Sequence, residues 1–291
     1  MKPAPFDYQR AATLEHACVL LAAAPEDSKI MAGGQSLIAM MNFRLARPKI
    51  VIDVSNIEGR NQISAEEGGL RVRATTVQRH VETSALAQQR IPLLCYAIRH
   101  IAHFQIRNKG TIGGNLVNAD PASELPATSL VLDAKFEIMS AEGKRTVPAA
   151  EFFITSMTTA VAANEVLASV LFTEPPAGSG WGFHETSRRA GDYALAGCVA
   201  VVTLDAARKC SRARIGLFGV ATTPIRACNA ENALLGKEYS VDLLQVAARE
   251  IQADIDPESD VHVTAAYRRS VAEVLTVRSL EDAFRRAGER R

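Results

Sequence analysis

Apolar positions along the chain change period several times, and each change marks an element. Leu14, Ala17, Cys18 and Leu21 recur at i, i+3, i+4 and i+7, one face of a helix. Thr13 can cap that helix and Pro25 can stop it. A short strand is expected over 29–31, a turn over 32–36, a helix over 37–45 that stops before Pro48, and a β-branched strand over 50–54. Gly68-Gly69, between Ile63 and the run Leu70-Arg71-Val72-Arg73, reads as a hairpin turn. Thr75 or Thr76 can cap a helix running through Leu86, and Pro92 can start another with apolar positions Leu94, Ala97, Ile98 and Ile101. Strands are expected over 135–139 and 165–172.

Pro175-Pro176-Ala177-Gly178-Ser179-Gly180 is the strongest linker signal in the chain. Beyond it, 181–188, 193–204 and 213–220 read as three strands, followed by helices over 227–235 (ended by Gly236), 241–251 and 264–287. Strands followed by helices predict an α+β fold for this part. The chain is long enough, at 291 residues, for about two domains.

Composition narrows the class. With 33 basic against 32 acidic residues, the chain lacks the basic excess of a phosphate-tracking nucleic-acid binder. The longest apolar run, 17–24, is too short to cross a bilayer. The first residues show no apolar segment of a cleaved leader. Five dispersed cysteines without a CxxC fit reduced thiols in a cytoplasm and form no thiolate set for a metal or cluster.

The candidate chemistry lies in two glycine pairs, Gly33-Gly34 and Gly113-Gly114. A glycine pair lets backbone N–H groups reach a ligand with no Cβ in the way, and successive N–H groups form an anion-binding concavity. Gln35, Ser36, Thr111 and Asn115 add side-chain donors beside them. A lone Gly-Gly is usually only a tight turn; two such loops with polar flanks can hold a diphosphate between them. No GxGxxG, P-loop or nucleophile-elbow motif is present.

Longer runs carry a resemblance. Ala32-Gly33-Gly34-Gln35-Ser36-Leu37, with Arg44-Leu45-Ala46-Arg47-Pro48 and Ile52-Asp53 behind it, resembles the FAD-binding medium subunit of molybdenum hydroxylases, the carbon monoxide dehydrogenase and xanthine dehydrogenase flavoprotein family. The run from Ile106 through Thr111-Ile112-Gly113-Gly114-Asn115 to Leu116, followed by Asp120 to Pro126, is similar to its second motif. Further matches lie over 182–194, at Asp260-Val261-His262 and around Tyr267-Arg268-Arg269.

The resemblance implies an α+β protein. A two-part FAD-binding domain of the PCMH (vanillyl-alcohol-oxidase-like) type would span 1–176, divided near 55/56. A smaller α+β domain with a three-stranded antiparallel sheet and helices would span 177–291. It implies FAD bound by Ala32, Gly33, Gly34, Gln35, Ser36, Leu37, Thr111, Ile112, Gly113, Gly114 and Asn115. Glu124 would stand on the adenosine side and Tyr193 beside the flavin ring.

It also implies partners: a large molybdopterin subunit and a small subunit with two [2Fe–2S] clusters, as a dimer of heterotrimers, with electrons passing through FAD to an external acceptor. A self-contained flavin oxidase or reductase and a non-catalytic nucleotide-binding scaffold are the alternatives.

Other groups have simpler readings. His100 and His103 lack a third ligand and read as surface or packing residues, His103 being the one histidine near the second loop. Arg188, Arg189 and Asp192 form either an ion-pair network or a solvated turn. Arg268-Arg269 and Arg285-Arg286 read as helix surface or subunit interface. Trp181 reads as a packing anchor and Cys95 as a core residue.

Overall fold

The computed structural model describes residues 2–289; Met1, Arg290 and Arg291, counted in the expected domain limits, lie outside the described residues. The first unit runs β1 (Asp7–Arg10), α1 (Leu14–Ala23), β2 (Ser28–Met31), α2 (Leu37–Asn42) and β3 (Ile50–Asp53). Its strands form a parallel sheet in the order β1-β3-β2. The expected face of α1 (Leu14, Ala17, Cys18, Leu21) is buried, and Thr13 caps it through the His16 N–H. Strand β1 escapes the periodicity because its four residues are mostly exposed. Tyr8 of β1 donates to Asp53 at 2.5 Å, and Ser55 N–H donates to the same carboxylate at 2.7 Å. Asp53 therefore ties the sheet edge to the turn beyond β3.

The second unit runs β4 (Ile63–Glu66), β5 (Gly69–Arg73), α3 (Gln78–Glu82), α4 (Ala85–Arg90), α5 (Pro92–His100), α6 (Phe104–Arg107), α7 (Ile112–Asn118) and α8 (Glu124–Val131). It continues with β6 (Lys135–Ser140), β7 (Gly143–Pro148), α9 (Ala149–Phe152), β8 (Phe153–Thr155), β9 (Thr158–Thr159) and β10 (Val166–Thr173). An antiparallel five-stranded sheet has the order β4-β5-β10-β6-β7. The helix expected through Leu86 is two helices, because Ser84 starts a new one by accepting from Ala87 N–H. The expected hairpin at Gly68-Gly69 joins β4 and β5.

The third unit runs β11 (Ser179–Ser187), β12 (Ala194–Leu204), β13 (Cys210–Phe218), β14 (Ile225–Arg226), α10 (Cys228–Leu234), α11 (Val241–Glu250) and α12 (Ala265–Glu289). Its antiparallel sheet has four strands, β11-β12-β13-β14, not three. The fourth is two residues long, pairs through Gly216 and Leu217, and is too short to show alternation.

This sheet is covered on both faces. Ala196, Cys198, Ala200 and Val202 of β12 pack with α10, α11 and α12, while Val199 and Val201 join the core of α5 and α8. Two-faced burial explains why 194–204 reads as a continuous apolar run rather than an alternating one. Trp181 anchors the junction, its ring tilted against Tyr96 at 5.1 Å between centroids and taking the Arg286 guanidinium 3.8 Å over it. Cys95 is buried, as expected. Arg268 departs from its surface reading: it donates to the Leu195 and Gly219 carbonyls and pairs with Asp260. Arg286, likewise, is a bridge rather than surface.

Helix α12 lies so close on β11 that a Cβ on Gly182 would stand 1.9 Å from the Ser279 carbonyl oxygen. Gly182→Ala is expected to lift α12 and to destabilise the chain by about 1–3 kcal/mol. The measurement is the midpoint of denaturant unfolding at unchanged slope; an unmoved midpoint would contradict this packing.

Candidate functional site

The two glycine loops meet. The first joins β2 to α2, and the second, with α6 before it and α7 after it, follows the helical layer of the second unit. A Cβ on Gly33 would lie 2.2 Å from the Lys109 carbonyl oxygen and 2.8 Å from Gly110 Cα, so backbone lies against backbone there. Gly34 has φ +71°, a left-handed conformation that turns the chain into α2. Between and beyond the loops opens a cavity of about 600 Å³, within the ordinary range for ligand sites.

Twelve of the thirteen residues expected at the cofactor line this one cavity: Ala32, Gly33, Gly34, Gln35, Ser36, Leu37, Thr111, Gly113, Gly114, Asn115, Glu124 and Tyr193. The exception is Ile112, which is fully buried in the core instead. Helix α7 turns its side chain inward, with Gly113 packed on Ala74 and Gly114 exposed.

The loops differ in what they offer. Among the described residues, the N–H groups of Gly33, Gly34, Gln35, Ser36 and Leu37 have no acceptor in the protein. The second loop is nearly used up: Ile112 N–H donates to Thr76 O, Gly113 to Ala74 O, Gly114 to Thr111 Oγ1, and Asn115 to Thr111 O. Only the Thr111 N–H is left without an acceptor there. The first loop is thus an open row of amides and the second a braced wall. The bracing is needed because Gly113 sits on β5's exit, where a Cβ would lie 2.4 Å from Ala74 Cβ.

Side chains divide likewise. Gln35 folds back, donating from Nε2 to the Gly33 carbonyl at 3.0 Å. Asn115 Oδ1 accepts from Ser123 Oγ at 2.9 Å, which leaves its NH₂ group free of protein partners. Arg107, from the second motif, is buried against Glu82 at 3.0 Å and donates to the Ile101 and Ala102 carbonyls at 2.9 Å. It fixes the entry to the loop and touches no ligand position.

Carboxyls also face the cavity. Asp120, Glu124 and Asp192 line the cavity with Tyr193. Burial raises the Asp120 pKa against the opposing Ala122 N–H bond. Burial, then the charge of Glu185, pushes Glu124 up to about 8. Tyr193 is 69% exposed; desolvation of its hydroxyl, then Asp120 and Glu124, raises its pKa. The charge of Glu124 thus reaches Tyr193.

Gln78 and Met157, not singled out in the sequence, also line the cavity, with Asp120 and Ile106 from the quoted motifs and Ile101 from an expected helix face. Gln78 and Met157 carry no local signal, because only the fold brings their elements to the loops. His100 and His103 part company: His100 Nδ1 lies 3.3 Å from Glu185 Oε1, and His103 packs on Gly191. Arg188 bonds His262 at 3.1 Å, and Asp192 N–H donates to the Arg189 carbonyl in a turn.

A cradle of open N–H groups at a left-handed glycine and an adjoining cavity with polar side chains in its lining suit a dinucleotide-type ligand, and the residues fit FAD. The sequence family described as FAD binding domain in molybdopterin dehydrogenase matches residues 4–173, and the CO dehydrogenase flavoprotein C-terminal domain matches 181–283. The chain is 41% identical to the 6-hydroxypseudooxynicotine dehydrogenase complex subunit alpha of Paenarthrobacter nicotinovorans, over 99% of this chain and 97% of that one. It is 35% identical to the carbon monoxide dehydrogenase medium chain of Hydrogenophaga pseudoflava, over 98% and 99%. A solved structure of the Hydrogenophaga pseudoflava carbon monoxide dehydrogenase that lacks the Mo-pyranopterin moiety superposes with a TM-score of 0.95 at 36% identity, covering 98% of this chain and 99% of that one. The chain belongs to the FAD-binding medium-subunit family of the molybdopterin dehydrogenases.

Gly33→Ala is expected to force the loops apart and to lower flavin retention at least about tenfold, since the added Cβ meets backbone that cannot yield. Gly34→Val, at a left-handed position hostile to β-branched residues, is expected to do the same. Flavin-to-protein ratios with far-ultraviolet circular dichroism check this; full flavin occupancy in both folded variants would remove the loops from the site.

Proposed function

We propose that this chain is the FAD-binding electron-transfer subunit of a molybdenum hydroxylase. The observation that carries the reading is the row of five unpartnered N–H groups from Gly33 to Leu37, opening on the cavity that also holds Thr111, Asn115, Glu124 and Tyr193. Successive amides of this kind suit a diphosphate without any lysine. The flavin, when bound, supplies the one- and two-electron chemistry.

The chain's own residues bind and orient it. The 33–37 amides would hold the diphosphate, with the Thr111 N–H and the Asn115 NH₂ opposite. Tyr193 would flank the ring, and Glu124 would stand on the adenosine side. No side chain here acts as acid or base in substrate hydroxylation.

Partners follow from the same reading: a large molybdopterin-binding subunit and a small subunit with two [2Fe–2S] clusters, paired as a dimer of heterotrimers. The N-terminal part would be a two-part PCMH-type domain over 1–176, divided near 55/56, with the C-terminal domain over 177–291. The gap between Thr173 and Ser179, and that between Asp53 and Ile63, support these limits. Among the described residues no helix is long and apolar enough to cross a membrane, and five unbridged cysteines support a reducing, cytoplasmic setting.

Relatives whose names carry substrates as unlike as carbon monoxide and 6-hydroxypseudooxynicotine match over nearly the whole chain. Substrate choice therefore belongs to the large subunit. Gentle purification of the tagged chain from its host is expected to bring two partner chains, FAD, iron and molybdenum. A lone yellow protein that turns over substrate unaided would replace this reading with an independent flavoenzyme, and a colourless complete complex would replace it with a scaffold.

A further inference from the structure

Residues 188–193 connect β11 to β12 and carry Tyr193. Gly191, Asp192 and Tyr193 belong to a wall shared by two cavities, the cofactor cavity and a second one of about 800 Å³. Arg188, Arg189, Ala190, Asp192 and Tyr193 are all exposed. Burial therefore does not set where this strap lies. Its first residue is tied by one exposed bond, Arg188 Nη1 donating to His262 Nδ1 at 3.1 Å. Its turn closes on itself, the Asp192 N–H donating to the Arg189 carbonyl at 3.0 Å.

The strap meets the second unit at Gly191. A Cβ on this glycine would stand 2.5 Å from His103 Cε1 and 2.6 Å from Nδ1, so its backbone lies against that edge of the imidazole. Its φ of +88° is left-handed, which also favours glycine. His103 stands on a fixed base. Its carbonyl accepts from the Ile106 N–H at 2.9 Å and starts α6. The two residues before it, Ile101 and Ala102, are held through their carbonyls by Arg107 at 2.9 Å, and Arg107 is paired with Glu82. His100 fixes the strand from which the strap departs: its Nδ1 lies 3.3 Å from Glu185 Oε1, and its ring centroid 4.6 Å from that of Phe183. The two histidines, spaced at i and i+3, thus face the third unit together, one at β11 and one at the strap.

We propose that His103 is a positioning residue: its imidazole is the seat of the 188–193 strap, and through Gly191 it holds Tyr193 against bound FAD. This rests on the FAD reading above. Tyr193 follows Gly191 by two residues and is 69% exposed, so little else restrains its ring. An exposed strap with few buried contacts opens at small free-energy cost, and the open space on either side gives it room to move. A rigid ring under a residue with no side chain removes that freedom where it would displace Tyr193.

The test uses the full chain with its native partners, both flavin-free and loaded with FAD. Trypsin cuts after Arg188 and Arg189 when the strap lifts, and mass spectrometry follows the products. Cleavage there is expected to be at least about tenfold faster in His103→Ala, and within about twofold of wild type in His103→Phe, which restores a flat ring under the glycine. Gly191→Ala keeps the ring but displaces the strap from it, and is expected to match His103→Ala. The half-life of FAD on the loaded complex is expected to fall about tenfold in His103→Ala and in Tyr193→Leu, and no further in the double variant, since both break the same chain of contacts.

Wild-type cleavage in His103→Ala, or a His103→Phe strap cut as fast as that of His103→Ala, overturns the seat. An unchanged FAD half-life in Tyr193→Leu, or a double variant that loses FAD by the product of the two single effects, overturns the link to Tyr193. If Gly191→Ala does not fold, the comparison of His103→Ala with His103→Phe still decides. A folded wild-type complex that holds no FAD would sink the FAD reading instead, while the cleavage rates would still decide the seat.

Discussion

The cavity depends on a contact in which two pieces of backbone touch with nothing between them. Gly33 presses against the Lys109 carbonyl and Gly110, and no other residue fits there. That contact couples a parallel three-stranded sheet to an antiparallel five-stranded one. The second loop can serve as an anvil because it is already rigid. Its amides are spent on Ala74, Thr76 and its own Thr111 cap, and the buried Arg107–Glu82 pair fixes its entry. The first loop keeps its amides free only because the second holds it in place. A loop that satisfied its own N–H groups by turning into an ordinary tight turn would close the cradle.

The third unit contributes more than a cover. Its sheet is packed on both faces, so α8, which carries Glu124, is wedged between the cavity and β12 and β13. A Cβ on Gly216 would meet Val131 Cγ2 at 2.7 Å, which shows how close α8 lies on β13. At the other end of α8, Asp133 gathers Arg212, Arg214 and Arg226. This cluster is half-exposed, and its value lies in position more than in net stability. It fixes the end of α8, two turns beyond Glu124.

Local pattern carried the elements whose burial is one-sided. The faces of α1 and α5 were legible because their buried positions follow a helical period. Strands β1, β7 and β14 were not, since β1 and β7 are largely exposed and β14 is two residues long. Helices α7 and α8 were not legible either: in α8 every residue from Glu124 to Val131 is buried, which erases any polar face. At the site, the glycine pairs with Gln35, Ser36, Thr111 and Asn115 pointed to residues that line one cavity, and the family resemblance added Glu124 and Tyr193, while Ile112 lies in the core. Which amides of the second loop are taken was invisible, because it depends on carbonyls at Ala74 and Thr76, nearly forty residues earlier in the sequence. The same limit applies to Glu124, whose pKa is raised first by burial and then by Glu185 on a strand of another unit.

The cavity lining combines two opposed fields. The Gly33–Leu37 amides present a row of N–H dipoles with partial positive charge, while Asp120, Glu124 and Asp192 line the same cavity. A phosphate group is stabilised by such dipoles and disfavoured beside carboxylates, so under the proposed reading the diphosphate takes the Gly33–Leu37 side. A chain with a net charge of only +1 can hold a dianionic linker in this way, because backbone dipoles, not surplus lysines, supply the field.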